Sequence, residues 1–241
     1  MSRLHDFRVL TFDCYGTLID WESGIYDALQ PLLRRGGLDL PRDAVLEAFA
    51  HHESAQQAET PAMRYAELLS QVHHRLADEW GIEPDEAGAV RFGASVPDWP
   101  AFPDSAGALA YLKRHYMLVI LSNVDHASFA GSRKRLGVAF DAVYTAEEIG
   151  SYKPDPRNFR FMLTKLGAQG FGRGEILHVA QSLFHDHAPA KRVGLASAWI
   201  DRRHGQEGWG ATMPPPSGAG YEFRFASLAE MVAAHQADAL A

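Results

Sequence analysis

Asp13 closes an apolar run, Val9-Leu-Thr-Phe12, and is followed by Cys14, Tyr15 and Gly16. This pattern predicts a buried strand whose carboxyl end presents a carboxylate, the edge at which open α/β sheets place their ligands. Gly16 lets the chain fold back over Asp13, and Thr17 brings a hydroxyl and a backbone N–H beside it. An aspartate held this way can attack an electrophilic carbon or phosphorus and form a covalent ester. Successive strand residues point to opposite sides, so Cys14 is expected to pack into the core while Asp13 meets the substrate.

Three later segments add polar groups in a fixed order. Ser122 and Asn123 end the apolar run Leu118-Val-Ile-Leu121, Lys153 lies in Tyr152-Lys-Pro-Asp-Pro156, and Ser182 and Asp186 lie in Val179-Ala-Gln-Ser-Leu-Phe-His-Asp186. In these residues the chain resembles the haloacid dehalogenase superfamily, whose first motif is an apolar strand followed by D-x-[D/Y]-G-T-[L/V]. The resemblance makes Asp13 the nucleophile. Phosphatases of the superfamily carry a second Asp two residues later, where this chain has Tyr15. The D-x-Y-G-T form is that of the 2-haloacid dehalogenase branch, which attacks carbon and needs no metal.

The same resemblance assigns the remaining residues. Ser122 and Asn123 match the second motif and would hold an anionic oxygen near the nucleophile. Lys153 matches the third and would keep Asp13 ionised by charge pairing. The fourth follows the frame G-D-S-x-x-x-D, with Gln181 in place of its first Asp and Asp186 as its second. Magnesium demands hard oxygen ligands, usually carboxylates. With Tyr15 and Gln181 replacing two acids, the implied site uses no metal and no cofactor. Asp186 is the implied base for the hydrolytic water, and Tyr15, Thr17, Ser122, Asn123 and Ser182 form the implied substrate-binding set. The extra residue at His185 leaves the local register of Asp186 open.

Two features depart from the dehalogenase pattern. That branch receives the leaving halide on an Arg of the first cap helix, and the corresponding segment here, Leu46-Glu-Ala-Phe-Ala-His-His-Glu53, has none. His51, His52 or Arg64 could supply a donor from another direction. The aromatic residue after the motif-three lysine is Phe159, without a hydroxyl. His185-Asp186-His187 has the residue types of a metal site, but adjacent side chains diverge and no Cys or His partner stands at zinc spacing.

The elements that must position these residues follow from periodicity. Helical patterns cover Tyr26 to Arg35, Arg42 to Ala55, Met63 to Trp80 and Glu83 to Phe92, broken at Gly36-Gly37, Pro61 and Gly81. Beyond Pro97, Pro100 and Pro103, apolar runs at Met117–Leu121, Ala142–Thr145, Ile176–Ala180 and Ser197–Ile200 alternate with helical stretches. An edge strand over Tyr221–Phe225 and a closing helix over Ser227–His235 complete the expected set. Such alternation predicts an α/β fold with a Rossmann-like parallel sheet. The core is expected at 1–19 and 99–241, with a helical cap at 20–98 inserted after the first strand.

The 241 residues are 46% apolar and 22% charged, as in an ordinary soluble domain. A net charge of −7 argues against a nucleic-acid partner, and no stretch reaches membrane-spanning length. Cys14 is the single cysteine, so no disulfide forms within the chain; with no leader pattern, a cytoplasmic location is expected. The expected function is hydrolytic dehalogenation of small 2-haloalkanoic acids through an aspartyl ester. A magnesium-dependent phosphatase of small molecules and a non-catalytic binding protein of the same fold are the alternatives. The expected partner is a small-molecule substrate; relatives form dimers, which leaves a homodimer open.

Overall fold

The computed structural model describes residues 3–238. Six strands form one sheet: β1 (Val9–Phe12), β2 (Met117–Ser122), β3 (Ala142–Thr145), β4 (Ile176–Ala180), β5 (Ala196–Ile200) and β6 (Phe223–Phe225). They lie in the order β3-β2-β1-β4-β5-β6, and every pairing is parallel. The order reverses between β1 and β4, which makes the carboxyl ends of these two strands the natural crevice of the sheet. Phe12 is in register with Ile120 of β2 and Val179 of β4, so Asp13 emerges between the ends of both neighbours.

Period-two alternation divides the apolar residues between the sheet faces. Leu10, Phe12, Leu118, Ile120, Leu177 and Val179 join one cluster, whereas Val9, Val119, Leu121 and Ile176 join the other. Cys14 is fully buried in the first cluster, on the side away from Asp13, as strand geometry requires.

Between β1 and β2, ahead of the helix that leads into β2, four helices pack on one another: α1 (Trp21–Gly36), α2 (Arg42–Glu59), α3 (Tyr65–Glu79) and α4 (Glu86–Gly93). The first begins five residues earlier than periodicity indicates. Asp20 caps it by accepting from the Ser23 backbone N–H, and Gly24 lies inside because a Cβ there would meet the Trp99 ring at 2.3 Å. The glycine marks a close crossing and not a helix end. Gly37 ends α1 in the left-handed conformation, with φ 62°. The other helices, α5 (Ser105–Leu112), α6 (His126–Leu136), α7 (Ala146–Ile149), α8 (Pro156–Ala168), α9 (Ala188–Arg192) and α10 (Leu228–Asp238), are interspersed among the strands. No helix among the described residues is long and apolar enough to cross a membrane.

Candidate active site

The loop after β1 wraps around its own carboxylate. Gly16 has φ 93°, and a Cβ there would lie 2.9 Å from the Trp21 ring nitrogen, so both the turn and the packing select glycine. Thr17 Oγ1 donates to Asp13 Oδ2 at 2.7 Å and accepts from the Gln181 backbone N–H at 2.9 Å. One hydroxyl thus ties the loop after β1 to the loop after β4.

Lys153 enters from the segment preceding α8 and is 1% exposed. Its Nζ donates to Asp13 Oδ1 at 2.9 Å, to Asp186 Oδ1 at 2.6 Å and to the Leu121 carbonyl at 2.9 Å. An ammonium has three N–H bonds, and all three are taken. Asn123 holds this lysine by its backbone: Lys153 N–H donates to Asn123 Oδ1 at 2.7 Å, and Asn123 Nδ2 donates to the Lys153 carbonyl at 2.9 Å. The side-chain amide expected to contact substrate is therefore engaged in placing Lys153.

The register left open at His185 is resolved by a π-helical turn over Leu183–His187. Such a turn accommodates one extra residue per cycle, and it carries Asp186 to Lys153. Ser182 caps it, its Oγ accepting from the His185 backbone N–H at 2.9 Å. Behind Asp186 stands a buried chain: His178 Nε2 donates to Asp186 Oδ1 at 2.9 Å, and Thr11 Oγ1 lies 2.8 Å from His178 Nδ1. A carboxylate accepts, which places the imidazole proton on Nε2. Asp186 Oδ2 and Ser122 Oγ are buried without a hydrogen-bond partner among the described residues.

The two aspartates are driven apart in proton affinity. Burial raises Asp13, the Lys153 charge works against burial, and the charge of Asp186 adds to it, so Asp13 remains above its ordinary value of 3.8. Burial also acts on Asp186, but Lys153 and the His178 hydrogen bond outweigh it and hold that carboxyl well below the usual range. Lys153 loses affinity to burial and regains more from the two aspartates, so it stays charged.

These groups enclose a cavity of roughly 20 Å³, about the room of one water. Tyr15 lines it with its ring, the hydroxyl being tied to Ser132 Oγ at 2.9 Å. From α1, α2 and α3 come Trp21, Glu53 and Tyr65. Trp21 also lines a neighbouring cleft of about 380 Å³, walled by Arg42, Arg202 and Arg203 against Asp20, Glu22 and Asp43. Among the described residues, no three His, Cys, Asp or Glu side chains are grouped to hold a metal ion.

The model of the haloacid dehalogenase-like hydrolases matches residues 7–194. The chain belongs to this family. An (S)-2-haloacid dehalogenase 4A from Burkholderia cepacia is 28% identical over 211 residues, covering 81% of this chain and 84% of the relative. The validoxylamine A 7'-phosphate phosphatase of Streptomyces hygroscopicus subsp. limoneus is 26% identical over 213 residues, covering 83% and 89%. The solved structure of the L-2-haloacid dehalogenase from Xanthobacter autotrophicus, with chloropropionic acid covalently bound, superposes with a TM-score of 0.77 at 20% identity. That match covers 98% of this chain and all of the other, and establishes the shared fold.

Within this haloacid dehalogenase-like hydrolase, the residues suggested as substitutes for a cap arginine do not reach the cavity. His52 pairs with Glu79, Arg64 pairs with Glu147, and His51 is exposed. Phe159 does not line it either; its ring packs edge-on against the His178 ring at 5.0 Å. The position facing the nucleophile is held instead by Glu53, which sequence reasoning passed over. Its signal was periodicity: Leu46, Phe49, Ala50, Glu53 and Gln57 form one buried stripe of α2. A carboxyl on such a stripe needs a reason. His178 had a similar signal, as an imidazole inside the wholly buried β4.

Proposed function

We propose that this hydrolase dehalogenates small 2-haloalkanoic acids through an ester on Asp13, without a metal. The carrying observation is what stands beside the two retained carboxylates. Lys153, common to both readings, bridges Asp13 and Asp186, while Tyr15 lines the cavity where a phosphatase would carry an acid, its hydroxyl tied to Ser132. With Tyr15 and Gln181 in the positions of the other two acids, the donor set does not fit a hard divalent cation. The (S)-2-haloacid dehalogenases among its relatives support the same chemistry.

In this reading Asp13 attacks C2, the carbon–halogen bond breaks, and the halide leaves with the bonding pair. The substrate carboxylate is held by the free hydroxyl of Ser122, while Thr17 and Lys153 fix the attacking carboxylate and Tyr15 walls the pocket. Asn123 and Ser182 position Lys153 and the turn bearing Asp186. Water then adds to the ester carbonyl, releasing a 2-hydroxy acid and regenerating Asp13. Asp186 Oδ2, the oxygen without a partner, orients this water and accepts its proton. The inserted helices, within residues 20–98, act as a cap that excludes bulk water. A cavity of this size requires them to open for substrate.

The test is halide release from 2-chloro, 2-bromo and 2-fluoro acids with a chelator present. Release that the chelator leaves unchanged is the expected result. Phosphate release from small phosphate esters, dependent on added magnesium and without any halide release, would replace this reading with the phosphatase one.

A further inference from the structure

Glu53 is 2% exposed, lies on α2 and faces the same small cavity as Asp13. Its hydrogen-bond partner is the Tyr65 hydroxyl, which donates to Oε1 at 2.9 Å, and it makes no ion pair among the described residues. The charged groups around it come from several elements. The core presents Asp13, Lys153 and Asp186, together with Tyr15 and His185. From α3 comes Tyr65, and Tyr152 lies behind it, with ring centres 6.3 Å apart. The cavity thus gathers three carboxyl groups against one ammonium, whose N–H bonds are all taken.

A 2-haloalkanoate is an anion, and so is the halide it releases. With Glu53 ionised, either would enter a space already holding three carboxylates and no free positive donor. With Glu53 neutral, the repulsion from that side vanishes and the carboxyl gains an O–H to donate, which a carboxylate lacks. We propose that Glu53 works as the neutral carboxylic acid, its O–H receiving the departing halide where no cation reaches, so that its ionisation closes the site to anions. This rests on the dehalogenase reading above. The atoms balance without a proton transfer: the Asp13–C2 bond forms, the C2–halogen bond breaks, and the halide accepts a hydrogen bond from Glu53, which stays neutral.

The environment of Glu53 agrees. Burial raises it, the Tyr65 hydroxyl works in the opposite sense, the charge of Asp13 adds to burial, and the result is about 7 against an ordinary 4.5. Above that pH the neutral fraction falls about tenfold per pH unit.

Two measurements across pH 5.5–9 test the proposal: kcat/KM for 2-bromopropionate, and affinity for bromide ion alone by calorimetry. In the native protein both should fall about tenfold per pH unit above neutrality. In Glu53→Gln, which keeps an N–H donor and cannot ionise, both should be flat to pH 9, with a lower plateau. Tyr65→Phe removes the donor that favours the ionised form and should move the fall to higher pH. Flat native profiles, or a Glu53→Gln protein that falls like the native one, overturn the role of Glu53. Absence of turnover together with the expected bromide profile overturns the dehalogenase reading alone and leaves Glu53 as the anion gate. Absence of both turnover and bromide binding at every pH overturns both.

Discussion

Lys153 is held more closely by Asp186 than by the nucleophile: its Nζ lies 2.6 Å from Asp186 Oδ1 and 2.9 Å from Asp13 Oδ1. His178 adds a second donor to the same Asp186 oxygen. The positive charge is thereby biased toward the carboxylate that stays in place, and the one that attacks is left with the greater proton affinity. A more basic oxygen is the better nucleophile, so the asymmetry suits a covalent role for Asp13. The cost is an acid limb: Asp13 must be ionised to attack, so turnover is lost as pH falls through a value above 3.8.

Asp13→Asn removes the attacking oxyanion while keeping the side chain's size. We expect halide release to fall by at least about 10³-fold with the far-ultraviolet circular dichroism unchanged. Residual turnover within tenfold of the native rate would remove Asp13 from the nucleophile's place.

Lys153→Met leaves Asp13 and Asp186 buried without their shared cation. Breaking a buried ion pair from one side costs roughly 3–5 kcal/mol, because the uncompensated charge remains inside. Urea denaturation at pH 7 should show that loss, and it should shrink on acidification as one of the carboxyls takes up a proton. A loss independent of pH would mean that the lysine acts by packing alone.

The parts of this site that were legible in the sequence are those fixed by local chain geometry. Asp13 and Ser122 stand at or just after strand ends, and an apolar run followed by a polar residue marks such a place without any knowledge of packing; Lys153, between α7 and α8, was legible only through the motif it matches. The location of Asp186 was half legible: its residue type stood out, but a π-helical turn, not sequence spacing, absorbs the extra residue before it. Glu53 was missed because its partners, Tyr65 and the β1 loop, are brought to it only by the way α2 packs. The start of α1 was displaced for a related reason, since the crossing of Gly24 with the Trp99 ring is set by packing and not by the local pattern. Long-range contact, not local propensity, decided each of these.

His178→Phe tests whether the imidazole merely fills space. A phenyl ring can keep the edge-on packing with Phe159, but it removes the N–H to Asp186 and strands the Thr11 hydroxyl. An unsatisfied buried hydroxyl costs about 1–3 kcal/mol, and the loosened Asp186 should lower kcat by on the order of tenfold with little change in KM. His178→Asn, which retains a donor, should recover part of kcat. Equal losses in both variants would reduce His178 to a packing residue.

Glu53 also predicts a stability change that needs no substrate. Its folded-state value of about 7 lies above the ordinary 4.5, so the native state binds the proton more tightly than the unfolded chain does. Stability from this group is fully present below pH 4.5 and is lost as pH rises through about 7. A shift of that size corresponds to about 3 kcal/mol at full ionisation, an upper bound because opening of the cap would let water reach the charge. Glu53→Gln cannot ionise and escapes the loss. Relative to the native protein it should therefore be close to neutral in stability at pH 5 and clearly more stable at pH 8.5, by chemical denaturation at both values. A difference that does not grow with pH would place the Glu53 carboxyl in contact with water or a cation, and would remove the physical basis for its neutral form at the site.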